Sequence, residues 1–341
     1  MFGGKKIAKK SDVAIGLDVG NFAVKVVQLS QKGDTFNLDS FGYAKINIEK
    51  LDGVVEAIKN ACAEAGITQK KVNASITPEG VIVRYLTLPE MNTDELKKAM
   101  EFEIERYVPF ERKDVVNDYM ILKERPDSKN MKILLVAAKK DFVENRIKIL
   151  REAGLDPEVI TIDAIVLKDT FQLNYPEKNN KVVGLLNIGA KSSNINIVKG
   201  PTSYFMRDIQ LGGDNITHLL KEKIDIGLEE AEKIKCSLTL EDKEKFKIIE
   251  PVLGNLLNEV YLSFDYYESE FGLVVDEVFV SGGTARLKWL TDFLKENLNR
   301  EVSVLSPVKR FTAAPAVSQS RLELFSPSLV VATGLALENF S

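Results

Sequence analysis

Apolar and polar residues along this chain alternate in runs that predict a mixture of strands and helices. The clearest unit covers residues 13–29, where an apolar, β-branched run is interrupted by Gly-Leu-Asp-Val-Gly and then resumes. This pattern predicts two adjacent strands joined by a tight turn, with Asp18 and Asn21 projecting at the turn. Gly20 lets backbone N–H groups approach an anion, and a carboxylate such as Asp18 can hold Mg²⁺ beside phosphates, usually through water. Taken alone, however, Asp-x-Gly in a hairpin is most often an ordinary turn.

The same pattern recurs in the second half of the chain. Residues 182–198 form another apolar run, a small polar loop and a second apolar run, and Asn187 follows Asp18 by 169 residues. Gly189 correspondingly stands where Gly20 stands in the first unit. Two such units at half-chain spacing predict a duplicated architecture with two halves that face each other. A nucleotide held between two phosphate-binding hairpins is the natural use of this arrangement.

The remainder of the first half predicts one further subdomain and an insertion. A third strand is expected at 35–46, a helix at 53–65 ended by Gly66, and a strand at 72–76. Residues 81–157 break this pattern and predict a small α/β insertion. Its expected elements are strands at 81–88, 114–122 and 131–137, a helix from 92 or 93 to 108 ended by Pro109, and a helix at 141–153 with Asp141 as its N-cap. A helix at 162–173 then returns to the first subdomain.

The second half is expected to be richer in helix. A strand at 203–209 leads to Gly212 and Gly213, which open a helix and offer free N–H groups at the positive end of its dipole. Residues 216–271 are predicted to be mostly helical, with one helix at 228–237 and a long amphipathic helix after it. The remaining expected elements are a strand at 277–280 running into Gly282 and Gly283, a helix from about 287, a strand at 302–304, a loop reaching Ser328 and a helix at 329–338.

Composition narrows the class of protein. With 341 residues, 45% hydrophobic and 28% charged, the chain is expected to be a soluble globular protein of two to four subdomains. Its net charge of −4 argues against nucleic acid as the main partner. Only the first ten residues are locally basic, through Lys5, Lys6, Lys9 and Lys10. They are interpreted either as a solvated terminus or as a weak contact with an anionic membrane surface or a partner.

The rare residues exclude several kinds of site. Cys62 and Cys236 are far apart in sequence, so neither a disulfide framework nor a zinc spacing is visible. His218 is the only histidine, which excludes metal sites that need several. No apolar run reaches the length of a membrane span and no secretory leader is visible, so a reducing cytoplasm is expected.

The motifs, in their order along the chain, resemble the actin-like ATPase superfamily: Asp18-x-Gly20, Asn187-x-Gly189, Gly212-Gly213, Ala231-Glu232-x-x-Lys235, Gly282-Gly283-x-Ala285 and Ala332-x-Gly334. Within it, the chain is similar to the PilM family of type IV pilus assembly, which is related to the division protein FtsA. The resemblance implies an α/β, duplicated actin-like ATPase (ribonuclease H-like) fold with an FtsA-type 1C subdomain formed by the insertion. The end at Ser341 favours PilM, because FtsA-like chains continue into a C-terminal membrane helix.

The resemblance also implies subdomain boundaries. Subdomain 1A would comprise residues 1–80 and 158–181, and subdomain 1C residues 81–157. Subdomain 2A would comprise residues 182–217 and 275–341, and subdomain 2B residues 218–274.

Roles in binding ATP or ADP with Mg²⁺ are implied at the matching positions. The first phosphate loop would consist of Asp18, Gly20, Asn21 and Lys25, with Asp18 near Mg²⁺, and the second of Asn187, Gly189, Ala190 and Ser192. Gly213 would lie near the phosphates. The adenosine would be faced by Gly282, Gly283 and Thr284, and its ribose or base edge would be met by Glu232 and Lys235. Each also has a structural interpretation, as a turn residue or, for Glu232 and Lys235, as an exposed ion pair on one helix face.

One departure from the superfamily pattern concerns the chemistry. Many actin-like ATPases have Asp where this chain has Asn187. Asparagine keeps the hydrogen-bonding shape but lacks the anionic charge that helps to hold a hydrated cation and to organise water. We therefore hypothesise ATP binding with slow or absent hydrolysis.

The implied function is a cytoplasmic scaffold, peripheral to the inner membrane, that binds the N-terminal cytoplasmic segment of PilN between the first subdomain and the insertion. The chain would also have pilus motor ATPases and further copies of itself as possible partners. It would associate with the membrane only through partner proteins. The alternatives are an FtsA-like polymerising cytoskeletal ATPase, a small-molecule kinase of the same superfamily, and the cytoplasmic part of GspL. No Asp-bearing substrate loop is evident for a kinase, and GspL would continue into a membrane span.

Overall fold

The structure is a computed structural model that describes residues 12–76, 78–122 and 130–340. The basic segment around Lys5–Lys10 lies outside the described residues, as does most of the connection between the strands predicted at 114–122 and 131–137. Among the described residues, none of the helices combines the length and the apolar composition that a bilayer span requires.

The first half of the chain contains a sheet and its insertion. Its elements are β1 (Val13–Val19), β2 (Ala23–Lys32), β3 (Thr35–Lys45), α1 (Gly53–Glu64), β4 (Lys71–Ile76), β5 (Val81–Pro89), α2 (Thr93–Tyr107), β6 (Val115–Leu122), β7 (Asn130–Lys139), α3 (Lys140–Glu152), β8 (Asp156–Ile162) and α4 (Asp163–Asn174).

The second half contains the matching sheet and most of the helices. Its elements are β9 (Val182–Ile188), β10 (Ser193–Lys199), β11 (Thr202–Ile209), α5 (Gly213–Ile224), α6 (Leu228–Ser237), α7 (Lys243–Phe271), β12 (Glu277–Ser281), α8 (Leu290–Leu298), β13 (Glu301–Val304), β14 (Thr312–Ala313), α9 (Gln319–Phe325) and α10 (Val330–Leu337).

The two large sheets have the same topology, which confirms the predicted duplication. The first has the order β3-β2-β1-β4-β8, with β14 added beside β3, and the second has the order β11-β10-β9-β12-β13. In both, the first three strands are antiparallel and the next two run parallel to the central strand. The hairpins β1–β2 and β9–β10 therefore occupy equivalent places in the two halves.

Helices α4 and α10 pack against each other and against the sheets. A Cβ built on Gly16 of β1 would lie 1.9 Å from the carbonyl oxygen of Ala332, and one built on Gly334 would lie 2.3 Å from that of Val166. These glycines allow backbone to approach backbone more closely than any side chain permits. The buried residues Val166, Val331 and Leu335 fill the contact between the two helices.

The insertion forms a separate three-stranded antiparallel sheet with the order β5-β7-β6. Helix α2 covers one face through its buried residues Leu96, Met100 and Ile104. Asn92 caps this helix by accepting from the backbone N–H groups of Asp94 and Glu95, which explains why the predicted start is correct.

Several sequence-based boundaries are wrong. Helix α3 begins at Lys140, so Asp141 lies in its first turn and is not the N-cap. Strand β8 is not predicted from the sequence, because Pro157 and the polar residues around it conceal an edge strand, where a proline is tolerated. The helix expected from about Leu287 begins at Leu290 after a 3₁₀ turn at Thr284–Arg286. The loop expected to reach Ser328 contains β14 and α9.

Candidate functional site

A cavity of about 950 Å³ lies between the two halves. All fourteen residues for which a ligand contact is predicted border it: Asp18, Gly20, Asn21, Lys25, Asn187, Gly189, Ala190, Ser192, Gly213, Glu232, Lys235, Gly282, Gly283 and Thr284. The structure thus brings together residues that are up to 266 positions apart in the sequence. Their location is shown, and their roles stay predictions.

The first hairpin presents a buried ion pair to the cavity. Asp18 and Lys25 are directly paired on β1 and β2, and Lys25 Nζ lies 2.9 Å from Asp18 Oδ2. Burial alone would lower the pKa of Lys25, but the attraction of Asp18 and its hydrogen bond raise the pKa above its usual value. A Cβ on Gly20 would lie only 3.0 Å from Lys25 Nζ, so glycine keeps the turn open beside the amino group.

The second hairpin has the same turn without the ion pair. The N–H of Gly189 donates to Ser192 O over 3.0 Å, and Ser281 Oγ donates to Asn187 Oδ1 over 3.2 Å. Gly282 follows β12 with a φ of +92°, and a Cβ there would lie 2.3 Å from Ile188 O. The conformation and the close approach both require glycine at this position.

The start of α5 packs directly on this hairpin. The N–H groups of Gly213 and Asp214 donate to the carbonyl oxygens of Gly189 and Ala190 over 3.0 and 2.8 Å. The expectation that these glycines offer free N–H groups is therefore wrong: the N–H of Gly213 is used in this way, and the N–H of Gly212 donates to Asn215 Oδ1 over 2.9 Å. Thr284 Oγ1 also donates to Gly189 O over 2.8 Å, which ties the β12–α8 connection to the same turn.

Glu232 and Lys235 form a partly buried ion pair, so the interpretation as an exposed pair does not hold for Lys235. Lys235 Nζ lies 2.6 Å from Glu232 Oε2, and the Lys235 side chain is only 7% exposed. Thr217 Oγ1 donates to Glu232 over 2.6 Å and accepts from Lys235 over 2.9 Å. Burial alone would raise the pKa of Glu232, but Lys235 and Thr217 hold it below its usual value. The hydrogen bonds of the pair with Thr217, and of Lys235 with Gly213 O, hold α6 against the start of α5.

Asp163 is a cavity residue that sequence reasoning does not identify. It opens α4 directly after β8, and its Oδ1 atom is buried and has no hydrogen-bond partner among the described residues. Burial and the nearby Asp18 carboxylate raise the pKa of Asp163 to about 7, against an opposing hydrogen bond with Ser75. A carboxylate directly after a parallel strand is a usable sequence signal, but the strand itself is concealed by its proline and polar residues.

A row of polar side chains crosses the second sheet at the cavity. Asn194 on β10 is paired with Asn187 on one side and with Asp208 on the other. Its Nδ2 donates to Asp208 Oδ1 over 2.8 Å, whereas its buried Oδ1 has no partner among the described residues. Burial raises the pKa of Asp208. The cavity therefore has unsatisfied acceptors on both halves, at Asp163 and Asn194.

A cationic and aromatic cluster also borders the cavity and includes Tyr43, which is paired with Lys25 across β2 and β3. The Arg286 guanidinium lies 4.6 Å from the ring centroid of Phe325, and Phe325 packs on Tyr43 with ring centroids 4.6 Å apart. These residues come from the β12–α8 connection, α9 and β3. No local sequence pattern could predict the cluster, because its members meet only in the folded chain.

Comparison with known proteins establishes the family to which this chain belongs. A sequence model described as type IV pilus assembly protein PilM matches residues 16–340. The chain belongs to the PilM family. The predicted family is therefore confirmed.

Relatives of the PilM-family chain include two cell division proteins. FtsA of Bacillus subtilis (strain 168) is 24% identical over 259 residues, which cover 67% of this chain and only 58% of that protein. FtsA of Enterococcus faecalis (strain ATCC 700802 / V583) is 20% identical over 356 residues, covering 87% of this chain and 79% of that protein.

Solved structures confirm the predicted actin-like fold class. The structure of a PilM-PilN type IV pilus biogenesis complex matches with a TM-score of 0.86 and 24% identity, covering 97% of this chain and 99% of that one. The ethanolamine utilization protein EutJ of Carboxydothermus hydrogenoformans matches with a TM-score of 0.56 and 15% identity, covering 96% and 90%. MreB5 of Spiroplasma citri, bound to AMPPNP, matches with a TM-score of 0.50 and 10% identity, covering 95% of each chain.

Proposed function

We propose that this PilM-family chain is a nucleotide-binding scaffold of type IV pilus assembly that holds ATP or ADP between its two halves. The observation that carries this proposal is the pair of topologically equivalent hairpins, β1–β2 and β9–β10, whose turns border one cavity. The similarity in fold to MreB5, whose structure contains AMPPNP, supports it.

The cavity fits a nucleotide with its phosphates at the hairpins. Lys25 supplies a cation there, and Gly20 and Gly189 leave room for close approach of the backbone. The predicted contacts of Gly282 and Thr284 with the adenosine, and of Glu232 with the ribose, would place the base toward Arg286. The planar guanidinium of Arg286, backed by Phe325, offers a surface on which a base can pack.

Magnesium fits beside Asp18. One carboxylate oxygen of Asp18 bonds Lys25, and Asp163 contributes a buried acceptor without a partner among the described residues. The carboxylate oxygens of Asp18 and Asp163 suit the water shell of a hydrated Mg²⁺, which prefers oxygen ligands and keeps several of its waters. When bound, the ion would neutralise phosphate charge, while Asp18 would hold it through water and Asp163 would accept hydrogen bonds.

The residue at position 187 supports the proposal of slow or absent hydrolysis. Asn187 accepts from Ser281 and carries no charge, so the second hairpin lacks a carboxylate next to its turn. Asp163 remains as a group able to accept a proton near neutral pH. We therefore propose slow turnover limited by the missing charge of Asn187.

The decisive experiment identifies the nucleotide retained by the purified protein. The protein is incubated with Mg-ATP, free nucleotide is removed, and bound nucleotide is extracted and separated by chromatography. Retained ATP supports a nucleotide-locked scaffold, and retained ADP with released phosphate supports a switching cycle. If the protein retains neither ATP nor ADP, the proposal is contradicted. Lys25→Met serves as the site variant and Lys199→Met, at the far end of β10, as the matched control.

We further propose that the chain binds the N-terminal cytoplasmic segment of a PilN protein between the first subdomain (1A) and the insertion (1C). Support comes from membership of the PilM family and from the likeness in fold to a PilM-PilN complex. Through such a partner the chain would act at the cytoplasmic side of the inner membrane. Isothermal calorimetry with a synthetic PilN N-terminal peptide tests this, and absence of binding would count against the scaffold role.

A polymerising, FtsA-like role is a second candidate, favoured by the similarity to two FtsA proteins. Self-association in the presence of ATP would distinguish it from the scaffold. Sedimentation with and without Mg-ATP measures this directly, and addition of pilus motor ATPases to the same assay tests for contacts with them.

A further inference from the structure

The insertion belongs to the first half by its chain connections and packs against both halves. It leaves the first sheet after β4 and returns to it at β8. The sheet face that α2 does not cover carries the buried residues Leu122 and Leu134, which form one cluster with Met206 of β11. The insertion therefore connects the two halves, in addition to the helices α4 and α10.

An aromatic pair and an ion pair also cross from the insertion to the second half. The rings of Tyr85 on β5 and Phe205 on β11 are stacked, with centroids 6.1 Å apart and an interplanar angle of 14°. Lys132 on β7 forms a 2.6 Å ion pair with Glu270 near the end of α7, and its Nζ lies 4.1 Å from the ring centroid of Phe271. The Lys132 side chain is only 13% exposed, so this pair is partly shielded from water.

The strands that make this contact also border the nucleotide cavity. Ile82 and Arg84 of β5 line it from the insertion, and Met206 and Asp208 of β11 line it from the second half. The contact between β5 and β11 thus lies at the wall of the cavity. If the halves rotate apart to admit or release a ligand, Tyr85 must leave Phe205 and Lys132 must leave Glu270.

The contact is suited to repeated opening. Among the described residues, the insertion sheet shares no strand pairing with the sheet of the second half. Only side chains hold the two sheets together, so separation breaks no backbone ladder.

We propose that the insertion is a latch that holds the cleft closed and sets the rate of nucleotide exchange, with Tyr85–Phe205 and Lys132–Glu270 as its two catches. This inference rests on the proposed nucleotide site. Its consequence is that residues outside the nucleotide contacts control how fast nucleotide leaves.

The test measures release of a fluorescent N-methylanthraniloyl derivative of ATP from the full chain by stopped flow, with excess ATP as competitor. Lys132→Met and Tyr85→Leu each remove one catch. We expect each to speed release by about tenfold without slowing association, because a stacked ring or a shielded ion pair contributes on that scale. Lys139→Met is the matched control, since Lys139 on the same strand packs over Phe110 within the insertion, 4.2 Å from its ring centroid.

Locking the latch gives the opposite result. Lys132→Cys and Glu270→Cys are combined in a Cys236→Ser background and joined by a short bismaleimide, which should slow release relative to the same protein before crosslinking. If Tyr85→Leu fails to fold, Lys132→Met and the crosslinked protein still test the latch. Unchanged release in these proteins, or equal acceleration in Lys139→Met, overturns the latch alone. Absence of any bound nucleotide in the unmodified protein overturns the nucleotide site and the latch together.

Discussion

Lys25 and Asp18 occupy directly paired positions on two antiparallel strands, and Lys25 Nζ lies 2.9 Å from Asp18 Oδ2 at the wall of the cavity. Their side chains are 14% and 11% exposed, so each charge depends on the other for compensation. The pair is thus a structural element as well as a candidate phosphate and magnesium contact.

Replacing Lys25 by methionine should destabilise the protein even without ligand. The substitution leaves Asp18 buried and unpaired, and we expect the free energy of unfolding to fall by about 3 kcal/mol. Urea denaturation followed by circular dichroism measures this. Lys233→Met is the control, because the Lys233–Glu229 pair is exposed on one helix face and should contribute little to stability. Equal losses in the two variants would contradict the role given to burial.

Asp163 should make stability fall as the pH rises. Its pKa is raised to about 7 in the folded protein, whereas an unfolded chain gives about 3.9. The folded state therefore binds the proton more tightly, so this contribution is complete below about pH 4 and is lost as the pH approaches 7. In Asp163→Asn the contribution is absent. The difference in unfolding free energy between the unmodified protein and Asp163→Asn should decline from about pH 4.5 to about pH 7.5, and a constant difference would refute the assignment.

Asn187→Asp should restore hydrolysis without impairing binding. The new carboxylate would lie beside the second turn, where it can hold metal-bound water and orient the attacking water. We expect ATP retention in Mg²⁺ to be unchanged and phosphate release to rise roughly tenfold or more, as is common for a positioned carboxylate. Adding Asp18→Asn to this variant should abolish the gain. Rapid Mg²⁺-dependent turnover by the unmodified protein would show that Asn187 is not limiting.

Two glycine substitutions should change stability in opposite directions. A Cβ on Gly16 would meet the backbone of α10 at 1.9 Å from Ala332 O, so Gly16→Ala should cost about 1–3 kcal/mol by forcing β1 and α10 apart. Gly254 lies inside α7 with open space where a Cβ would stand, so Gly254→Ala should add about 0.5–1 kcal/mol through helix propensity. Thermal denaturation compares them, and a neutral Gly16→Ala would contradict the close packing.

The candidate site is partly predictable from the sequence because much of it is local. Asp18, Gly20 and Lys25 lie within one hairpin, and the spacing of apolar residues predicts both strands and the turn. The similarity between the two hairpins, 169 residues apart, indicates that the halves share a topology. Gly282 and Gly283 are recognisable because a strand followed by two glycines marks a close backbone approach.

The remaining features depend on tertiary structure. The sequence by itself determined the two hairpins, most helices and the duplicated fold, since these follow from periodicity, turn residues and repetition over short spans. Only the folded chain decided that Asp163 is a buried neighbour of Asp18, that Arg286 packs on Phe325, and that Lys132 pairs with Glu270. Burial and charge pairing arise from the spatial meeting of distant segments, and no local pattern in the sequence encodes which segments will meet.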